Sequence, residues 1–374
     1  MNCGGFTMLK RFEVKNFKGF KDTLVFDLSA REYEFNKNLV NNGIVNKAIV
    51  YGKNGIGKSN LGIALFDIIM HLTDKERMPG QYLMNYINLE SNDRFAHFKY
   101  TFQFDDDVVE YSYTKRDPFY LIAEDISING EKKLSYNYFD KKANFIDKSL
   151  SGDLKDELLD NKLSIVKYIY RNTPTNPDSL IYKMMNFVEN MLWYRGLSDG
   201  NAFCGFTNGG ATLVEGLYES GKKDEFQQFL AENGMNYKLS WLMNNGVPVL
   251  MADFPNGKKA PFISLASTGT MSLFLFFFWN VAFNKISFLF IDEFDAFFHY
   301  ESAENIVLRL NKRKNFQTIL TTHNTYLMQN KLTRPDCCFI MTNNKITNLF
   351  NSTKKEIREA HNLEKMYING AFSE

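Results

Sequence analysis

The stretch NKAIVYGKNGIGKSNLGIALFDIIMHL, residues 46–72, decides the fold. Its apolar run through Tyr51 reads as a buried strand, its glycines as a tight loop, and the segment from Lys58 onward as a helix. GKNGIGKS (52–59) fits G-x-x-x-x-G-K-[ST] between strand and helix, the setting that motif requires. Gly52, Gly55 and Gly57 let the backbone turn tightly, so that N–H groups of the loop and of the helix start face phosphate oxygens. The expected nucleotide site therefore runs over Gly52, Lys53, Asn54, Gly55, Ile56, Gly57, Lys58, Ser59 and Asn60. In it Lys58 bridges the β- and γ-phosphates of ATP, and the Ser59 hydroxyl binds Mg²⁺.

Three further stretches supply partners for that loop. SFLFIDEFD (287–295) is an apolar strand tipped by two acids. A carboxylate at the end of a buried strand is costly unless it meets a cation. Asp292 is the expected second Mg²⁺ ligand, and Glu293 the group that orients or deprotonates the attacking water. QTILTTHN (317–324) is a second apolar strand, tipped by His323, a candidate γ-phosphate sensor. ISLASTGTMSLFLFFFWNVAF (263–283) opens with Ser267, Thr268, Gly269 and Thr270, which suit a helix start and would present free N–H groups to a phosphate. Its oily remainder from Leu273 to Phe283 extends only about 16 Å as a helix, against the roughly 20 residues a membrane span needs. It reads as a buried helix, with Phe274, Phe277 and Phe278 as candidates to face a partner.

The rest of the chain falls into three parts. Residues 1–149 hold strands joined by a Gly19 turn (9–28), the phosphate loop, and an antiparallel meander (98–139) with a hairpin turn at Asn129–Gly130. Residues 150–260 show helical spacing in SLIYKMMNFVENMLWY and EGLYESGKKDEFQQFLAEN, with Gly/Asn-rich breaks, and read as a helical insert. Residues 261–374 return to an α/β pattern: helices at 270–283 and 301–313, strands at 286–291, 316–321, 337–342 and 345–350, the last two around Asn343–Asn344. Residues 1–7 carry no packing pattern and are expected to be either a tail or the product of an upstream start codon.

Forty-four basic residues balance 43 acidic ones, so net charge neither demands nor excludes a nucleic-acid partner. Four cysteines without metal spacing, and no signal segment, point to a reduced cytoplasmic protein with no membrane partner.

The order of phosphate loop, Ser-x-Gly helix start, hydrophobic-Asp-Glu and His resembles the ATPase heads of the ABC type. Spacings of 25 residues from Ser267 to Asp292 and 30 from Glu293 to His323 agree with it. GKNGIGKSN and FEVKNFKGFKD resemble the SMC/RecF/OLD branch. IDEFDAFFH, QTILTTHN, RPDCCFIM and EIREAHNLEKMYINGAF resemble the standalone bacterial AAA-family ATPases related to OLD proteins, many of which are encoded in antiphage defence cassettes beside an effector nuclease. The resemblance implies an α/β P-loop NTPase head with an N-terminal antiparallel lobe and a helical insert, and hydrolysis of ATP with Mg²⁺. It implies a head-to-tail homodimer, with ATP held between the phosphate loop of one copy and Ser267–Thr270 of the other, Glu293 as base and His323 as switch. It further implies a sensor or switch in an antiphage or toxin–antitoxin-like system, a separate nuclease effector, and DNA or a phage-derived molecule as trigger. A RecF-like DNA-maintenance ATPase is the alternative. Two departures stand out: His299 occupies the place of the Asp that transporter heads carry, and no glutamine takes the Q-loop role, Gln103 lying inside an expected strand.

Overall fold

The computed structural model describes residues 7–140, 142–151, 160–197, 200–343 and 345–372. In it the phosphate-loop strand, Lys47–Tyr51, lies inside a seven-stranded sheet. The order across this sheet is Phe203–Gly205, Met191–Arg195, Phe288–Asp292, Gln317–Thr322, Lys47–Tyr51, Cys338–Thr342 and Lys345–Asn348. The five inner strands run parallel and the two outer ones antiparallel to their neighbours. Covered on both faces, the inner strands are buried almost throughout, which is why they show no alternation between an inner and an outer face.

A second seven-stranded sheet, antiparallel, holds Thr7–Lys15, Leu24–Asp27 and the meander Ala96–Phe104, Asp107–Asp117, Tyr120–Ile128 and Glu131–Asn137, closed by Lys142–Ile146. Its Asn129–Gly130 turn has φ of +51° and +79°, the geometry two-residue hairpins favour. The sheet grips the helix after the phosphate loop, Lys58–Phe66, through that helix's C-cap, Asp67. Asp67 is fully buried, pairs with Lys115 at 2.8 Å, and accepts hydrogen bonds from Tyr82, Tyr86 and Tyr113. A carboxyl group so deep in the core is costly unless its oxygens are satisfied, and here both are.

The α/β head with an antiparallel lobe is thus the architecture the sequence led us to expect. Between residues 150 and 260 the chain does carry helices, Ile165–Asn172, Leu180–Glu189, Leu213–Ser220 and Lys223–Glu232. It also carries strands that the helical reading did not contain. MLWY, expected to continue a helix, breaks from it at Asn190 and forms Met191–Arg195 next to the acidic strand. A fully apolar run reads alike in a buried helix and a buried parallel strand, so periodicity cannot separate them. Lys238–Asn244, Val247–Asp253 and Lys259–Pro261 form a three-stranded sheet whose Asn245–Gly246 turn has φ of +49° and +81°.

The oily helix spans Thr268–Asn280 and is buried within its own chain. Phe274 stacks on Phe226 and Phe277 meets the same ring at a tilt, while Phe278 fills the space left by Gly216, where a Cβ would come within 2.3 Å of its ring. These rings therefore pack inward rather than onto a partner. No described helix is long and apolar enough to cross a membrane. Of the expected tail, Thr7 already begins a strand; residues 1–6 lie outside the described residues, as does Asn344 of the last turn.

Candidate functional site

The C-terminal ends of the parallel strands gather the chemistry. Lys47–Tyr51 leads into the glycine loop, where Gly55 and Gly57 take φ of +78° and +105°. At Gly52 a Cβ would lie 2.9 Å from Ile56 and 3.1 Å from the Met341 carbonyl, so the loop closes only without one. Gly57 caps the helix with no side chain, leaving the first N–H groups open toward the loop's concave side. The Lys58 ammonium turns back onto the loop and donates to the Gly52 carbonyl at 2.6 Å and the Lys53 carbonyl at 3.0 Å. Burial lowers its pKa, against the opposing pull of Asp292, Glu293 and Asp295. Those three acids therefore face the lysine of the loop.

Asp292 ends its strand fully buried. Its Oδ1 accepts from the Thr321 hydroxyl at 2.7 Å, and the same hydroxyl accepts from the Glu293 N–H at 2.8 Å. That pairing fixes Glu293 in a left-handed backbone conformation, φ +49°, which a non-glycine residue adopts only when its surroundings compel it. Burial raises the Asp292 carboxyl, while the Thr321 and Ser59 hydroxyls and the Arg195 guanidinium pull it down. Asp292 Oδ2 is buried without a hydrogen-bond partner. An anionic oxygen left in that condition, with the Ser59 hydroxyl beside it, fits a hard divalent cation. Among the described residues no group of three or more His, Cys, Asp or Glu forms a closed metal cage.

The neighbouring strand brings in a cation. Arg195 pairs across from Asp292, and its Nη2 and Nε donate to Glu293 Oε2 at 2.9 and 3.3 Å. Its Nε stands 3.6 Å from Asp292 Oδ2. Gly196 follows, its N–H donating to the Asp292 carbonyl at 3.0 Å, and a Cβ there would come within 2.9 Å of the Glu293 carbonyl oxygen. Asp295 is a further buried acid: Thr322 donates to one oxygen at 2.9 Å, the other has no hydrogen-bond partner, and burial pushes its carboxyl up.

His323 is exposed at the tip of Gln317–Thr322, near enough to Asp295 to act on its carboxyl. Ser267 caps the oily helix, accepting from the Thr270 N–H at 3.2 Å, and Gly269 packs against the Phe297 carbonyl just beyond the acidic turn. Lys58, Ser59, Asp292, Glu293 and His323 thus share one edge, whereas Ser267 and Thr268 are exposed at the start of the oily helix and Thr270 is buried, its hydroxyl against Met235 Sδ. Gln103 lies elsewhere, in the antiparallel sheet, donating to the Asp105 carbonyl. His299 precedes Tyr300–Asn311, without a side-chain capping bond. Arg195, Asp295 and Thr321 were not among the expected site residues. Asp295 and Thr321 lay within the quoted motifs, while nothing local in the sequence marked Arg195.

No curated protein matches the chain. Solved structures resemble it faintly: the SMC head domain from Thermotoga maritima (14% identity, TM-score 0.43, covering 91% of this chain and 98% of that one). An Smc head from Pyrococcus furiosus, bound to the C-terminal domain of ScpA, is similar at 12% identity and TM-score 0.44, covering 92% and 98%. The recombination mediator RecF with ATP is similar at 13% and 0.39, covering 92% and 99%. The assignment does not rest on these. A family described as "AAA domain, putative AbiEii toxin, Type IV TA system" matches residues 47–329, well over half the chain. The matched span runs from the phosphate-loop strand past His323, and the chain belongs to this family of AAA-domain ATPases.

Proposed function

We propose that this ATPase is the switch subunit of a bacterial antiphage or toxin–antitoxin-like system, its effector, a nuclease, being a separate chain. In this reading the loop from Gly52 to Asn60 cradles the triphosphate, with Lys58 leaving the Gly52 and Lys53 carbonyls for the β- and γ-phosphates. Ser59 and Asp292 hold Mg²⁺, which would supply charge neutralisation at the phosphates. Glu293 takes a proton from the attacking water, and His323 reads the γ-phosphate. Ser267–Thr270 of a second copy close the site, so that ATP joins two heads. DNA or a phage-derived molecule is the trigger.

The observation that carries the ATP chemistry is Asp292 Oδ2, buried without a hydrogen-bond partner on the same sheet edge as Lys58 and Ser59. Support for the joint comes from the exposed apolar side chains around the Ser267 helix start, Ile263, Leu265 and Phe297. Support for the toxin–antitoxin setting comes from the description of the family. Glu293→Gln is the test: it should bind ATP, lose turnover at least a hundredfold, and accumulate as an ATP-dependent dimer in light scattering. Unchanged turnover, or equal dimerisation with and without ATP, refutes the reading.

A RecF-like role in DNA maintenance is the second reading. It draws on an open groove beside the phosphate loop in which Lys53, Lys345, Lys354 and Lys355 gather. Duplex-DNA binding that weakens steeply with salt, and weakens further when those lysines are replaced, would favour it.

A further inference from the structure

We propose that a hollow at the starting ends of the central parallel strands is a second anion site, which takes a small phosphate-bearing molecule apart from the ATP on the glycine loop. Lys47–Tyr51, Phe288–Asp292 and Gln317–Thr322 carry the ATP chemistry at their far ends. At about 3.3 Å per residue, a five-residue strand separates its two ends by roughly 16 Å. The hollow is therefore no part of the glycine-loop site.

Its volume is about 360 Å³, within the range of small-molecule pockets. Lys183 lines it from the helix Leu180–Glu189, Lys285 from the segment before Phe288–Asp292, and Lys314 from the segment before Gln317–Thr322. No Asp or Glu lines it, and among the described residues none of the three ammonium groups makes an ion pair or hydrogen bond. Bringing three like charges to one concavity costs free energy while it is empty, and a cleft walled by one sign of charge concentrates ions of the other. Lysine suits phosphate as a point charge that demands no fixed angle.

A second observation is independent of charge. Asn46, which precedes the phosphate-loop strand, is 3% exposed. Its N–H donates to the Leu39 carbonyl and its own carbonyl accepts from the Thr318 N–H. Asn46 also lines the hollow, and its side-chain amide makes no hydrogen bond among the described residues. A buried amide in that position is costly unless something within the cavity satisfies it. The helix Leu180–Glu189 ends beside the hollow, and its carbonyl end would oppose an anion. Those carbonyls are already engaged: that of Phe187 accepts from the Ser287 hydroxyl and the Asn190 N–H, and that of Asn186 from Asn190 Nδ2. The lysines are left to set the local sign. Phe187, Ile286 and Phe316, all buried, add an apolar wall. Apolar rings beside amides and ammonium groups match an organic phosphate of nucleotide size. A nucleic-acid backbone would instead need its cations spread along a surface.

Isothermal titration calorimetry of the full chain at physiological salt, with AMP and inorganic tripolyphosphate as separate probes, tests the site. Three proteins are compared: Lys58→Ala, which disables the glycine loop, and the same chain with either Asn46→Leu or the triple change Lys183→Gln, Lys285→Gln and Lys314→Gln. Binding should persist in Lys58→Ala, weaken at least about tenfold in the triple variant and about threefold with Asn46→Leu. The three lysines are exposed or half-buried, so their loss should leave Tm unchanged, and the triple variant serves alone if Asn46→Leu does not fold. AMP binding at least as tightly as tripolyphosphate supports a nucleotide ligand, and tripolyphosphate binding more tightly supports a bare polyphosphate; both uphold the site. Binding that vanishes in Lys58→Ala belongs to the glycine loop and overturns the proposal. So does an affinity within twofold of Lys58→Ala in the folded triple variant.

Discussion

Gly62→Ala offers a test in which two physical effects oppose each other. Gly62 lies inside the Lys58–Phe66 helix with no positive φ, so alanine gains about 1 kcal/mol from helix propensity. The added Cβ, however, would sit 2.6 Å from Phe290 Cε1 and 2.7 Å from Trp193 Nε1. Ordinary contact begins at 3.4 Å, so either the rings or the helix must give by about 0.8 Å. Phe290 and Trp193 are both buried in the central sheet and have nowhere to turn. Overpacking of this kind costs about 1–3 kcal/mol, which outweighs the propensity gain at most values in that range. At an unfolding entropy of about 2 cal/mol/K per residue, a net loss of 1–2 kcal/mol lowers Tm by roughly 1–3 °C. Because the helix carries the phosphate loop at its front, ATP affinity should fall about three- to tenfold as its N–H groups shift off the phosphates. Differential scanning fluorimetry and equilibrium ATP binding give the two readouts. A higher Tm with unchanged ATP affinity would show that the helix is not seated on these rings, and the argument fails.

Thr321→Val keeps the side chain's shape and deletes the hydroxyl that serves both Asp292 and the Glu293 N–H. One buried and one half-buried group lose a partner, so stability should fall by about 2–3 kcal/mol and turnover at least tenfold; chemical denaturation and phosphate release measure them. Lys47, buried where the phosphate-loop strand begins, has its pKa pushed down to about 7 by burial. From pH 7 up toward 10.5 the unfolded chain holds a proton that the folded chain has shed, so stability rises with pH across that window. Lys47→Met should flatten the slope, a contribution of a few kcal/mol at most; Tm recorded from pH 6.5 to 10 checks it, and an unaltered slope rejects it.

The local parts of the site were legible because each is a short motif with its own chemistry. The glycine loop, the acid-tipped strand and the His-tipped strand all lie where the sequence put them. What escaped was set by pairing over long distances. Arg195 meets Glu293 across a separation of 98 residues, and no local pattern announces that Met191–Arg195 lies beside the acidic strand. Its apolar letters fit helix and strand equally, and the preceding helix made continuation the simpler reading. The three-stranded sheet at 238–261 was missed for another reason. Its Asn245–Gly246 signal was present, but it joins strands that do not alternate: Leu242, Met243, Asn244 and Val247 are exposed together, and Leu250, Met251 and Ala252 are buried together.

The place of Lys47–Tyr51 in the central sheet bears on how the chain is made. Both strands that hydrogen-bond to it, Gln317–Thr322 and Cys338–Thr342, are synthesised late, beginning 270 and 291 residues after it does. A ribosome-bound or prematurely stopped chain lacking them has a phosphate-loop strand with neither neighbour, and the loop it leads into has no sheet to hold it. Fragments ending before residue 317 should therefore be inert toward ATP even where the antiparallel lobe has folded. Competence then arrives late and all at once, when the last inner strand docks, so errors in synthesis yield silent fragments rather than uncontrolled ones.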